Sequence, residues 1–222
     1  MNLCLFDLDD TLLPLDSDHA WGEFLIRLGW VDESEFRCRN HEFFKQYQAG
    51  QLDIHAYVAF TTRPLRGRDS KQLAAAHQRF MNEVIHPNLH PAAMDLVRCH
   101  QAQGDWVALV TATNDFVTGP IAKSFNIDHL IALRWARDNQ GTITGLVDGI
   151  PSYREGKVTR VTEWLSEHRQ SWENFDRISV YTDSLNDLPL LERATHPVAT
   201  NPSPGLRQVA EARGWRTLQL FS

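Results

Sequence analysis

The sequence predicts an α/β protein: a doubly wound parallel sheet with a helical cap inserted after its first strand. Three observations predict it. Leu3-Cys4-Leu5-Phe6 is an apolar run of strand length that stops at the acidic cluster Asp7-Leu8-Asp9-Asp10-Thr11, as a buried strand ending in a polar loop does. From about Asp16 to Pro87 the apolar spacing is helical, with no convincing strand. Beyond Pro87, strand-like and helix-like segments alternate, the order that builds a parallel sheet covered on both faces.

Taken in order, the insertion reads as helices. Trp21, Phe24, Leu25 and Leu28 share one helical face, and Leu73, Ala76, Phe80 and Val84 share another, each spaced for an amphipathic helix. Phe36 to Tyr47 and Leu52 to Phe60 supply two more. The core resumes with a helix over Ala92–Gln101, a strand over Val107–Val110 and a helix from about Asp115 to Phe125. Leu130–Trp135 and Thr142–Val147, separated by Asp138-Asn139-Gln140-Gly141, read as a strand pair or hairpin. There follow a helix over Glu155–His168, a strand over Ile178–Thr182, a helix over Leu188–Ala194, a strand over Pro197–Thr200, a helix over Pro204–Ala212 and a last strand over Arg216–Leu220. Residues 1–15 and 88–222 therefore form the expected core, and 16–87 the cap. Ligands of open α/β sheets bind beyond the carboxyl ends of the strands, so the cap is expected over that site.

Composition narrows the function. The chain has 222 residues, 42% hydrophobic and 23% charged, an ordinary globular mix that argues against disorder, collagen or coiled coil. No apolar run approaches the ~18 residues needed to span a bilayer. Carboxylates arrive at once after Met1 without a basic leader, so a cytoplasmic protein with no membrane partner is expected. The net charge of −6 disfavours general attraction to nucleic acid, and any phosphate binding must be local. Cys4, Cys38 and Cys99 are odd in number and far apart, and are expected to be reduced and mostly buried.

Chemistry-bearing residues stand at successive strand ends. The stretches are Phe6-Asp7-Leu8-Asp9-Asp10-Thr11-Leu12, Val110-Thr111-Ala112-Thr113-Asn114, Glu155-Gly156-Lys157-Val158 and Thr182-Asp183-Ser184-Leu185-Asn186-Asp187. In this order they resemble the motifs of the haloacid dehalogenase superfamily, specifically its phosphoserine-phosphatase-like branch. That resemblance implies a Rossmann-like core and a phosphatase of small phosphorylated metabolites. Asp7 would be the nucleophile, and Asp7, Asp183 and the backbone carbonyl of Asp9 would ligate a metal. An all-oxygen site suits Mg²⁺, which reduces the repulsion between a carboxylate and a phosphate dianion. Asp9 would protonate the departing alcohol and later take a proton from water. Thr111 and Lys157 would hold phosphoryl oxygens, and Asp187 would orient Lys157 or assist the metal. Asp16 stands nine residues after the nucleophile, where phosphoserine phosphatases carry a Glu that recognises the substrate amine. The surroundings of the motifs also resemble a bacterial subgroup of which some members hydrolyse histidinol phosphate.

Each residue alone has a plainer explanation. An Asp after a strand is usually a cap or turn residue, a helical Lys is usually solvated, and Asp183-Ser184 would serve as a helix cap with Asp187 in the first turn. Their joint order is what carries the reading. Gly156-Lys157 is not a P-loop, because Pro151 and Val158 occupy the positions that need Gly and Ser or Thr. A receiver domain would be shorter and lack the late Asp-x-x-x-Asp. Dehalogenation needs no second Asp at position 9, because halide leaves unprotonated. Three other features are assigned structural roles: His86 and His90, divided by Pro87; the basic turn Arg63–Arg68; and the aromatics Trp21, Phe24, Phe43, Phe44, Tyr47, Tyr57 and Phe60, of which one or two are expected to line the substrate pocket.

Overall fold

A computed structural model describes residues 1–221. Its strands are β1 (Asn2–Phe6), β2 (Trp106–Asn114), β3 (His129–Leu133), β4 (Trp135–Arg137), β5 (Ile143–Val147), β6 (Arg177–Thr182), β7 (His196–Thr200) and β8 (Arg216–Leu218). Its helices are α1 (Ser17–Arg27), α2 (Glu33–Gln48), α3 (Ile54–Thr62), α4 (Ser70–Phe80), α5 (Pro91–Ala102), α6 (Asp115–Ser124), α7 (Glu155–Glu167), α8 (Leu188–Leu191) and α9 (Pro204–Arg213). Six strands form one parallel sheet of order β3-β2-β1-β6-β7-β8. The chain runs outward from β1 on one side and returns to the other at β6, so the strand order switches between them. Crevices for ligands open at such a switch.

The apolar run of β1 is continuous because both faces of the sheet are covered. Cys4 and Phe6 pack with Val97 of α5 and with Val117 and Ile121 of α6, while Leu3 and Leu5 pack with Val161 and Leu165 of α7 and Leu206 of α9. Successive side chains of a strand point to opposite faces, so a strand buried on both needs no polar alternation.

Helices α1 to α4 lie between β1 and α5, and each starts behind an aspartate. Asp16, Asp32, Asp53 and Asp69 accept N–H bonds from His19, Glu35, Ala56 and Gln72 at 2.8, 2.9, 3.0 and 2.8 Å, satisfying amide groups that a helix start leaves unpaired. Their shared core is aromatic. Trp21 meets Phe80 edge-on at 5.1 Å, and Phe36 stacks on Phe60 at 4.6 Å. After α4 the backbone widens into a π turn at Met81–Ile85 and tightens into a 3₁₀ turn at His86–Asn88. Among the described residues, no helix is long and apolar enough to cross a membrane.

Several elements differ from their sequence reading. The segment expected to open a hairpin at Leu130 is instead the edge strand β3 of the main sheet, and the antiparallel pair is β4 with β5. Only Arg134 separates β3 from β4, so one apolar run serves two sheets. Strand β2 reaches Asn114, with a register irregularity between Val110 and Asn114, and α8 is a single turn preceded by a 3₁₀ turn at Leu185–Asp187. Cys4 is buried as expected, but Cys38 and Cys99 are exposed, and all three are free. His90 is spent at the start of α5, its Nδ1 accepting from Ala92 N–H at 3.3 Å. Two arginines of the basic turn are engaged within the chain: Arg68 lies 3.7 Å over the Trp30 ring, and the exposed Arg66 donates to the Ala59 carbonyl at 2.9 Å.

Candidate active site

The first motif is a tight turn built on one carbonyl. Leu8 accepts N–H bonds from Thr11, Leu12 and Leu13 at 3.2, 2.8 and 3.0 Å. Asp10 adopts φ 55° to close it, a conformation that Asp tolerates better than most residues. Leu8, Leu12 and Leu13 are fully buried and anchor the turn, while Asp7, Asp9 and Asp10 line a cavity. The Asp7 N–H donates to the Tyr181 carbonyl at 2.9 Å, which extends the β1–β6 ladder by one residue and fixes the position of this carboxylate.

Around Asp7 the other motifs converge. Lys157 Nζ lies 2.8 Å from Asp7 Oδ1 and 2.7 Å from Asp187 Oδ2, and Thr182 Oγ1 donates to the same Asp187 oxygen at 2.8 Å. Thr11 joins the ends of β1 and β6: its hydroxyl accepts from Asp183 N–H at 2.9 Å and reaches Asp7 Oδ2 at 3.4 Å and Asp183 Oδ1 at 3.3 Å. The helix carrying Lys157 comes close because Gly156 has no side chain. A Cβ there would stand 2.0 Å from the Pro151 carbonyl oxygen.

Asp9 is held separately. Its Oδ1 accepts from Ser17 N–H at 2.8 Å and its Oδ2 from Thr113 Oγ1 at 2.7 Å. Thr111 is buried at the β2 end, where its Oγ1 accepts the Thr113 N–H at 3.1 Å, leaving its hydroxyl proton free to donate. Asp16 caps α1 through Oδ1 and also lines the cavity. Asp7, Asp9, Asp16, Thr111 and Asp183 thus meet at one cavity of about 950 Å³, with Lys157 and Asp187 buried just behind it.

Sequence reasoning missed part of this site. Asp18 accepts from Tyr57 OH at 2.9 Å and from Asn114 Nδ2 at 3.1 Å and faces the same cavity. Thr113 and Asn114 belong to the Val110–Asn114 motif, but nothing in their spacing shows which carboxylates they bind. Of the aromatics between residues 16 and 87, Phe43, Phe44, Tyr47 and Tyr57 line the cavity, whereas Trp21 packs against Phe80 and against Phe116 of α6.

The site is rich in negative charge. Burial pushes Asp7, Asp9, Asp16 and Asp18 each up to about 7. Asp183 rises to about 9 by burial and then by the neighbouring Asp7, Asp10 and Asp187. Burial works to lower Lys157, but Asp187 and Asp7 outweigh it and hold the ammonium above its ordinary range. One buried ammonium thus faces three carboxylates, and the surplus calls for another cation. The donors are all oxygen, which fits a hard divalent ion. No group of three His, Cys, Asp or Glu side chains forms a metal cage among the described residues, so Asp7 and Asp183 need a backbone carbonyl and water to complete a coordination sphere.

A family model described as haloacid dehalogenase-like hydrolase matches residues 4–192. The chain belongs to that family. Within it the chain is a phosphatase, a phosphoric monoester hydrolase, as the motif order implied. It is 40% identical over 217 residues to a histidinol-phosphatase of Neisseria meningitidis, covering 98% of both chains. A crystal structure of a Bordetella pertussis protein of unknown function is 48% identical, with a TM-score of 0.93 over 99% of each chain. A substrate-bound phosphoserine phosphatase complex shares the fold at 19% identity, TM-score 0.66, over 97% of this chain and 91% of that one.

Proposed function

We propose that this phosphatase is a Mg²⁺-dependent enzyme that acts through an aspartyl phosphate on Asp7, and that its substrate is a small amino-alcohol phosphate, histidinol phosphate in first place. The observation that carries the substrate choice is the charge of the cavity wall. Asp9, Asp10, Asp16 and Asp18 line it, and among the described lining residues the only Lys or Arg is Arg154, whose Nη1 already donates to the Gly50 carbonyl at 2.8 Å. Such a wall suits an ammonium group and, with Arg154 as the one Lys or Arg beside several carboxylates, is less suited to a substrate carboxylate. Histidinol phosphate has the amine without the carboxylate, and its imidazole suits the neighbouring Phe43, Phe44 and Tyr57. Phosphoserine, the second reading, carries a carboxylate that this wall repels. The 40%-identical relative named as a histidinol-phosphatase supports the same order.

In the reaction, Asp7 Oδ attacks phosphorus and the phosphorus–oxygen bond to the alcohol breaks. Asp9 gives its proton to the departing oxygen. A water then attacks the phosphorus of the aspartyl phosphate, Asp9 takes the water's proton, and Asp7 is released with inorganic phosphate. Lys157 and Thr111 hold phosphoryl oxygens through both transfers, and Asp187, fixed by Thr182, keeps Lys157 in place. Bound Mg²⁺, held by Asp7, Asp183 and the Asp9 carbonyl, would neutralise phosphoryl charge. A non-catalytic phosphate-binding role would predict a missing nucleophile or acid, and both are present.

The test is phosphate release from histidinol phosphate, phosphoserine and sugar phosphates, with Mg²⁺ or excess EDTA, by wild type and Asp7→Asn. Turnover that needs Mg²⁺, vanishes in Asp7→Asn and favours histidinol phosphate in kcat/KM is expected. A preference for phosphoserine would overturn the substrate assignment, and undiminished turnover by Asp7→Asn would overturn the mechanism.

A further inference from the structure

Asn40, Phe43, Phe44 and Tyr47 of α2 line the cavity. Their spacing of i, i+3, i+4 and i+7 makes them one stripe of a helix. At the Tyr47 end, Asn186 Nδ2 donates to the Tyr47 carbonyl at 3.0 Å, so this end is tied to the loop that carries Asp183 and Asp187. Asn40 stands at the other end, about 10 Å away along the axis at about 1.5 Å per residue. Phe43 and Phe44 lie between the two.

Asn40 is 4% exposed. Its Nδ2 lies 3.0 Å from His19 Nδ1 on α1. An amide nitrogen only donates, so His19 Nδ1 accepts and carries no proton. Gly22 makes room for this contact, since a Cβ there would lie 3.1 Å from the same Nδ2. With the nitrogen turned to α1, the amide oxygen is the atom left to the cavity. Among the described residues nothing donates to it, and it is not sealed in protein as Ser17 Oγ and Trp21 Nε1 are. A buried residue thus offers an open acceptor beside aromatic rings, and such an acceptor discriminates against any ligand that leaves it unpaired.

We infer that Asn40 is a specificity residue: its Oδ1 accepts an N–H from a flat heteroaromatic ring at the end of the substrate remote from the phosphate, with Phe43 and Phe44 against that ring. The inference rests on histidinol phosphate as the substrate and names the residue that reads its imidazole. The far nitrogen of that ring is two bonds further from phosphorus than the carboxylate oxygens of phosphoserine, which suits a wall running from Asn186 to Asn40.

The test compares kcat/KM for histidinol phosphate and phenylalaninol phosphate. The two share amine and ester, but the phenyl ring has no N–H. Wild type is expected to favour histidinol phosphate by about 10- to 100-fold. Asn40→Leu, close in shape but without an acceptor, is expected to bring the ratio to within about 3-fold of one, whereas Asn40→Asp, which keeps an acceptor oxygen, is expected to hold it above about 10-fold. The ratio of two substrates in one preparation does not depend on the fraction folded. An unchanged ratio in Asn40→Leu would overturn the role of Asn40 and leave histidinol phosphate as the substrate. A ratio lost equally in Asn40→Asp would overturn the accepting oxygen. A wild type that does not discriminate between the two esters, or that prefers phosphoserine, would overturn both the substrate and the role of Asn40.

Discussion

Asp18 stores a pH dependence of stability that can be worked out in advance. The residue is 9% exposed and no Lys, Arg or His pairs with it among the described ion pairs. Burial pushes its pKa from 3.8 to about 7, against the opposing bonds from Tyr57 and Asn114. The folded protein therefore holds this proton more tightly than the unfolded chain. Between the two values unfolding releases a proton, so stability falls as pH rises: the contribution is fully present below about pH 4 and is lost as pH climbs through 7. At about 1.4 kcal/mol per pH unit the whole effect is roughly 4 kcal/mol, of which about 2 to 3 kcal/mol lies between pH 5 and pH 8. Asp18→Asn keeps the site satisfied. Its carbonyl accepts from Asn114, its amide donates to the Tyr57 oxygen, and the Tyr57 hydroxyl turns away. Urea unfolding in EDTA at pH 5, 6, 7 and 8 should show the variant gaining on the wild type by about 2 to 3 kcal/mol across that range. Parallel pH profiles for the two proteins would refute the reasoning, because they would mean that Asp18 is ionised in the fold at no cost.

Two further substitutions test the supports of the site. Asp187→Ala leaves Lys157 and Thr182 without their shared acceptor, and removal of one partner of a buried pair is expected to cost about 3–5 kcal/mol in urea unfolding; a loss below about 1 kcal/mol would show that Lys157 finds full compensation from Asp7. Gly156→Ala drives a Cβ to 2.0 Å from the Pro151 carbonyl oxygen, so the first turn of α7 must shift. Thermal unfolding should report a loss of at least about 1–3 kcal/mol, together with a higher KM because Lys157 moves with the turn.

The fold was legible where one physical cause sets one pattern. Burial on both faces made Leu3–Phe6 a continuous apolar run, and the motifs stand at the ends of β1, β2 and β6 because a parallel sheet brings its carboxyl ends together. Legibility ended where contacts join distant residues. Thr113 meets Asp9 across 104 residues and Asn114 meets Asp18 across 96, and both contacts depend on the irregular end of β2, which no spacing announces. The hairpin was misplaced for a related reason. Leu130 to Trp135 is apolar but for Arg134, and only three-dimensional pairing assigns its first part to β2 and its last residue to β5. Asp16 shows a third limit. Its sequence position suggested a ligand-binding role, yet one of its oxygens is engaged in capping α1, a local duty that equally favours Asp.

The first turn of α1 ties these threads together. Asp16 starts the helix, Ser17 gives its N–H to Asp9, and Asp18 takes bonds from Asn114 on β2 and Tyr57 on α3. Thr113 and Asn114, adjacent on β2, thus grip Asp9 and Asp18 side by side. Any rotation that carries α1 away from β2 must break the Ser17–Asp9 bond and the Asn114–Asp18 bond at once. The docking of α1 on β2 and the placement of the Asp9 side chain are therefore one structural variable.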